Sequence, residues 1–206
     1  MIVNEKDILN IMKENNGFLA MEDIEKYEIS IKKIQQMARD DKVERLVRGL
    51  YIHPDFFEDP FFICQYRAPK AIFSNETALY LHLMSDENPL NITVTIPSGY
   101  NSILLKEDNF KFYYLKEDVW SLGQEEILSP FGNKIKVYSK ERTLAEMMTK
   151  SGKVDRGLFI NALKIGLAED NLDRLELIKY AEIFGSKEQM RNYIEVLLWY
   201  LVVQGN

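Results

Sequence analysis

The chain has 206 residues, 46% of them hydrophobic and 28% charged, and a formal net charge of −6. That length and composition suffice for one or two packed cores and exclude a disordered tail or a protein coated in basic residues for indiscriminate nucleic-acid binding. The apolar stretch from Val196 to Val203 falls well short of the ~20 residues needed to cross a bilayer, and the opening MIVNEKDILN lacks the basic start and apolar centre of an export signal, so a cytoplasmic protein with no membrane partner is expected.

Asn4 is placed to cap a first helix whose apolar residues Ile8, Leu9, Ile11 and Met12 face inward, and Asn15-Asn16-Gly17 stops it. A second short helix spans Met21 to Tyr27. Ser30 then caps a third, running to about Asp41, and Val43 to Ile52 reads as two short strands joined at Arg48-Gly49. Three short helices followed by a hairpin predict a winged helix-turn-helix over residues 1–56. Charge changes sign along it. Glu5 to Glu28 carries a net −4, whereas Ser30 to Arg48 holds six basic residues against three acidic, a net +3 inside an acidic chain. Such a local reversal marks a small surface that reads nucleic acid.

The third helix carries the candidate contacts. At about 100° per residue, Ile31, Ile34, Met37 and Ala38 fall on one side for packing, and Lys32, Gln36 and Arg39 cluster on the other. In a winged helix this element enters the major groove. Gln36 is then placed to pair with adenine and Arg39 with guanine, with Ser30 and Lys33 near the first phosphates. Arg45 and Arg48 on the hairpin reach the backbone or a minor groove. The competing reading of the Lys32, Gln36 and Arg39 face is a solvated helix surface; the two hairpin arginines favour the DNA reading over it.

The segment His53 to Phe62, with its two prolines and four phenylalanines, reads as a stiff connector. Beyond it, residues 61–206 are expected to form a larger mixed α/β domain with a helical C-terminal part, which makes the fold class α+β. A helix over Asn75 to Met84, strands at Asn91 to Pro97, Phe110 to Leu115 and Lys134 to Ser139, and helices at Lys140 to Lys150, Asp155 to Leu167, Asp173 to Phe184 and Lys187 to Val203 follow from the periodicity. From Lys134 to Arg156 the basic residues Lys134, Lys136, Lys140, Arg142, Lys150, Lys153 and Arg156 outnumber the acidic ones by four. They offer an auxiliary phosphate-binding surface; alternating exposed positions on a strand and a helix are the plainer reading. The loop Pro97 to Asn101 exposes Tyr100 on an ordinary turn, and the C-terminal LLWYLVV stripe is read as core, with dimerisation the alternative.

Catalytic chemistry is missing. The chain contains no P-loop, GxGxxG, HExxH or CxxC motif; Cys64 is its single cysteine, and His53 and His82 lie in no nucleophile motif. The acidic pairs Glu107-Asp108, Glu117-Asp118 and Glu125-Glu126 look like exposed turns, and Gly185-Ser186 is not followed by the two aspartates with which a nucleotidyltransferase holds its metals. No enzyme, metal or cofactor is expected.

The order GFLAMEDIEKYEIS, third helix, LVRGLYIHP, TALYLHLM, ITVTIPSGYN and SPFGNKIKVYSKERTLAEMM resembles the AbiEi family, the antitoxins of bacterial abortive-infection toxin-antitoxin systems. The resemblance spans nearly the whole chain and lies in the sequential combination of loose motifs. It implies an N-terminal winged helix that represses its own operon by binding double-stranded DNA at inverted repeats in its promoter. It further implies a C-terminal domain that counteracts a nucleotidyltransferase-like toxin, AbiEii; in this family the two proteins are regarded as acting without a stable complex. An ordinary winged-helix regulator whose second domain senses a ligand, and a protein-interaction module with an idle third helix, are the competing expectations.

Overall fold

A computed structural model describes residues 3–101, 109–150, 154–169 and 171–204. The fold is mixed α and β, and the chain divides into two units: Met1–Ile63 with Leu128–Lys134, and Cys64–Ile127 with Ile135–Asn206. The first unit thus takes in the segment expected to be a connector and a piece of chain from far beyond it.

In the first unit, α1 (Glu5–Glu14) opens on a reciprocal cap: Asp7 N donates to Asn4 Oδ1 at 3.1 Å, and Asn4 N to Asp7 Oδ2 at 2.9 Å. It ends where Asn16 and Gly17 turn to positive φ. Then come β1 (Phe18–Leu19), α2 (Met21–Lys26), α3 (Ile31–Arg39), β2 (Glu44–Val47) and β3 (Leu50–Ile52). Glu28, at φ 52°, forms the turn between α2 and α3. The sheet has the order β1-β3-β2 and is antiparallel, with Phe18 opposite Ile52, and Leu19 and Arg45 on either side of Tyr51. Gly49, at φ 83°, closes the β2–β3 turn, a conformation that costs a side-chain-bearing residue far more. Ile8, Met12, Leu19, Ile24, Ile34, Met37 and Val43 form the core beneath these elements. Burying one such side chain contributes about 1.5 to 3 kcal/mol.

Pro60 opens α4 (Pro60–Arg67), where its missing N–H costs nothing. Just before it, the buried Asp59 accepts from Phe61 N and Phe62 N through Oδ1 (3.0 and 3.1 Å), and from Ser129 Oγ and Asn133 Nδ2 through Oδ2 (2.5 and 2.8 Å). Asn16 Nδ2 donates to Gly132 O at 2.8 Å. These bonds hold the 128–134 segment to the first unit. His53–Phe62 is therefore partly a helix start and not only a joint: His53, Asp59 and Phe61 are buried, while Phe57 is exposed.

In the second unit, β4 (Ile72–Phe73), β5 (Ile92–Pro97), β6 (Phe110–Leu115), β7 (Gln124–Leu128) and β8 (Lys134–Tyr138) build a five-stranded sheet in the order β6-β5-β4-β8-β7, with α5 (Asn75–Leu81) between β4 and β5 and α6 (Glu117–Trp120) between β6 and β7. β4 pairs antiparallel with β5 and parallel with β8; β5 and β6 are parallel, with Ile92 opposite Phe110. The helices α7 (Lys140–Thr149), α8 (Arg156–Ala168), α9 (Arg174–Ile183) and α10 (Lys187–Gln204) bury Leu144, Met148, Phe159, Leu163, Leu177 and Met190 together with Leu79 of α5. The C-terminal stripe is only half core. Leu197, Leu198 and Leu201 pack against this cluster, but Val196, Trp199 and Val202 are each about two-thirds exposed. No helix among the described residues is long and apolar enough to cross a membrane.

His82, at the end of α5, has a side chain only 5% exposed, its Nε2 donating to Tyr138 O at 2.8 Å with Glu125 Oε1 3.4 Å away. Burial holds its pKa below the usual imidazole value, outweighing the Tyr138 carbonyl and the carboxylates of Glu125 and Glu141; Lys140 adds to the lowering. The unfolded chain therefore binds a proton that the folded one resists. Stability from this group is present above the unfolded value near pH 6.5 and is lost as pH falls below it. Urea midpoints at pH 7.5 and 5.5 should differ less for His82→Gln than for the wild type; equal differences would show that His82 does not titrate with folding.

Candidate nucleic-acid interface

Helix α3 is held on one side by Ile34 and Met37, both fully buried, with Ala38 partly buried beside them. Ile31 departs from expectation. It is 49% exposed, because it stands in the first turn and beyond the edge of the packed stripe. The outward side of α3 thus carries Ile31, Lys32, Gln35, Gln36 and Arg39, all exposed. Ser30 is exposed in the N-cap position, though its side chain accepts no capping bond.

The polar groups on this face differ in freedom. Arg39 Nη2 donates to Gln36 Oε1 at 2.8 Å, and Gln36 Nε2 donates to Asp40 Oδ1 at 2.8 Å, so both ends of the Gln36 amide are engaged. Lys33 does not project toward a ligand: its Nζ donates to Val3 O at 2.7 Å and it is half-buried. On the hairpin, Arg45 Nε donates to Val47 O at 3.4 Å, and Arg48 is exposed at the turn. Gln35 escaped the sequence reading although its position was computable: at ~100° per residue it lies between Ile31 and Arg39 on the same outward face.

The auxiliary basic residues of the second half do not make one surface. Lys134 and Lys136 are exposed, alternating with buried Ile135 and Val137 along β8, and Lys140 is half-buried. Arg142 is fully buried, its guanidinium carbon 3.8 Å from the Tyr138 ring centroid and 4.9 Å from that of Phe184. Its Nη2 lies 3.3 Å from Glu146 Oε2, and Lys150 Nζ lies 2.5 Å from Glu146 Oε1 and donates to Asn75 Oδ1 at 3.3 Å. Burial lowers the Lys150 pKa against the pull of Glu146. Arg142 and Lys150 are thus inward partners of one carboxylate because α7 is enclosed on all sides, with Glu141 through Met148 all buried. Arg156 is exposed and donates to Tyr193 Oη; Lys153 lies outside the described residues. Tyr100 is half-buried, with Lys70 Nζ 6.0 Å from its ring centroid.

Elsewhere in the second unit, a cavity of about 250 Å³ is lined by Glu76, Thr93, Lys111, Asp155 and Leu158 with the 87–91 loop. Lys111 Nζ lies 3.5 Å from Glu76 Oε1, and Thr93 Oγ1 donates to Glu76 Oε2 at 3.3 Å. Among the described residues no group of His, Cys, Asp and Glu is arranged to hold a metal ion. The pair Glu117-Asp118 opens α6 and Glu125-Glu126 lies in β7 and not in a turn, while Glu107-Asp108 falls outside the described residues.

The chain is similar in fold to a solved mycobacterial protein. The crystal structure of the RV2827C protein from Mycobacterium tuberculosis superposes with a TM-score of 0.56 over 91% of this chain and 79% of that one, at 12% sequence identity. No protein-family model matches the chain, and no curated protein matches it in sequence.

Proposed function

We propose that the first unit is a winged helix-turn-helix that binds double-stranded DNA, and that the chain is an antitoxin and autorepressor of the AbiEi kind. One observation carries the DNA reading. The order α1-β1-α2-α3-β2-β3, with the turn at Glu28 between α2 and α3 and an antiparallel hairpin after them, supports the winged-helix reading, because it leaves the polar side of α3 and the arginines of the β2–β3 hairpin facing outward. The antitoxin part rests on the motif order along the sequence. It assigns to the second unit the counteraction of a nucleotidyltransferase-like toxin. A ligand-sensing regulator is the second reading, and the cavity beside Glu76 and Lys111 is the observation in its favour.

Binding of the full chain to the DNA upstream of its own gene tests the proposal, measured by fluorescence anisotropy across a salt series. Arg45→Ala and Arg48→Ala should each weaken binding to all duplexes and lower the salt slope by roughly one unit where a phosphate contact is lost. Arg39→Ala should instead relax preference at one base pair, by about 1 to 3 kcal/mol. Equal wild-type affinity for upstream and scrambled DNA would remove the reading. The antitoxin part is tested apart from repression: an Arg39→Ala/Arg48→Ala chain that no longer represses should still rescue growth when the toxin is expressed from an unrelated promoter.

A further inference from the structure

Two rows of side chains run along the outward side of α3. Ile31, Gln35 and Arg39 are spaced four apart and form one; Lys32, Gln36 and Asp40 form the other. Residues four apart on a helix stand about 6 Å apart along its axis, and each step drifts by about 40° around it. The first row therefore spans about 12 Å, or three to four base pairs at ~3.4 Å each. Its members differ in the chemistry they offer. Ile31 presents an apolar side chain at 49% exposure on a face otherwise polar. Gln35 is exposed and its side chain makes no hydrogen bond to another described residue, so its side-chain amide carries an unengaged donor and acceptor. Arg39 is held by Gln36, and Gln36 by Asp40, at 2.8 Å each.

We propose, resting on the DNA reading above, that the Ile31-Gln35-Arg39 row reads the bases, and that Gln36 and Asp40 position Arg39. In this assignment Arg39 pairs bidentately with the N7 and O6 acceptors of a guanine, its remaining Nη2 donor fixed by Gln36. Gln35 pairs bidentately with the N6 donor and N7 acceptor of an adenine. Ile31 lies against the C5 methyl of a thymine, the only apolar group that a base edge offers in the major groove. The adenine role assigned to Gln36 from the sequence passes to Gln35, since Gln36 reaches a base only by giving up both of its present partners. The preferred half-site then carries A·T pairs toward the start of α3 and a G·C pair toward its end.

Selection of bound duplexes from a randomised pool by the full-length chain, followed by measured affinities for single-pair changes, tests this. All five residues are exposed, and a melt of each variant confirms that it is folded. Gln35→Ala should lose about tenfold discrimination at one A·T pair and leave the G·C pair intact. Arg39→Ala should lose preference at the G·C pair, and Gln36→Ala and Asp40→Ala should loosen that same pair and no other. Ile31→Ala should weaken preference for thymine next to the Gln35 position. A base preference lost on Gln36→Ala at a pair that Arg39→Ala leaves unchanged would overturn the positioning role. An unchanged preference in Gln35→Ala would overturn the row as the reading element while leaving DNA binding by α3 in place. A wild-type chain that selects no sequence at all would instead remove the DNA reading, and this inference with it.

Discussion

Glu146→Ala should destabilise the protein by about 3 to 5 kcal/mol, the range found when one partner of a buried ion pair is removed. Its carboxylate faces two cations, Arg142 at 3.3 Å and Lys150 at 2.5 Å, and Arg142 is fully buried. Without Glu146, the guanidinium keeps the faces of Tyr138 and Phe184 but has lost its nearest carboxylate. Those rings attract a cation by about 0.5 to 2 kcal/mol, well below the desolvation cost of an unpaired buried charge. Lys150 is better placed to recover, since its side chain is 15% exposed. Arg142→Met/Glu146→Leu, which removes charge from both partners and retains bulk, should therefore regain much of the loss. Salt should change neither result greatly, because a pair out of contact with water is weakly screened. Urea denaturation followed by circular dichroism measures all three chains, and a Glu146→Ala midpoint within about 1 kcal/mol of the wild type would show that the cluster is neutral in effect.

Asp59→Ala is the second large effect, on the order of 3 kcal/mol. The side chain is fully buried and accepts four hydrogen bonds: two from the first backbone N–H groups of α4, one from Ser129 Oγ and one from Asn133 Nδ2. Losing a helix cap alone costs about 1 kcal/mol, and each buried donor left without an acceptor adds 1 to 3. The hydroxyl of Ser129 can rotate to another acceptor, which the amide of Asn133 cannot do as cheaply. Asp59→Asn should fall between, because it keeps an oxygen for α4 but turns an N–H₂ toward two donors. A double-mutant cycle of Asp59→Ala with Asn133→Ala should give a coupling above ~0.5 kcal/mol; additive effects would mean that the pair does not hold the 128–134 segment.

Much of the fold was legible wherever one physical signal dominated. The Asn4 cap, the periodic helices of the C-terminal half, and the apolar strands β5, β6 and β8 stand within a few residues of their expected bounds. Elements without such a signal were missed. β1 and β4 have two residues each, too few to show any period, and β7 reads Gln-Glu-Glu-Ile-Leu with its polar side chains exposed at a sheet edge. Asp before Pro is a helix-start pattern, but the prolines and aromatics of His53–Phe62 outweighed it and read as a connector. On α3 the partition between packed and outward sides was legible except at Ile31, whose apolar character implied burial that the first turn of the helix does not provide. Arg142 misled for the converse reason: charge implies solvent, and only its spacing of four from Glu146, and that of Glu146 from Lys150, hinted at an internal pair.

The discontinuity of the first unit sets an order of events during synthesis. Met1–Ile63 contains α1, α2, α3, the hairpin and the start of α4, yet Ser129 and Asn133, which complete Asp59, are translated about 70 residues later. At roughly 5 to 20 residues per second, the ribosome needs some 4 to 14 seconds to supply them. During that interval the emerging N-terminal unit has Asp59 without two of its four donors. A chain terminated anywhere before Ser129 never acquires those two donors, so in every such fragment Asp59 keeps only its bonds to the start of α4.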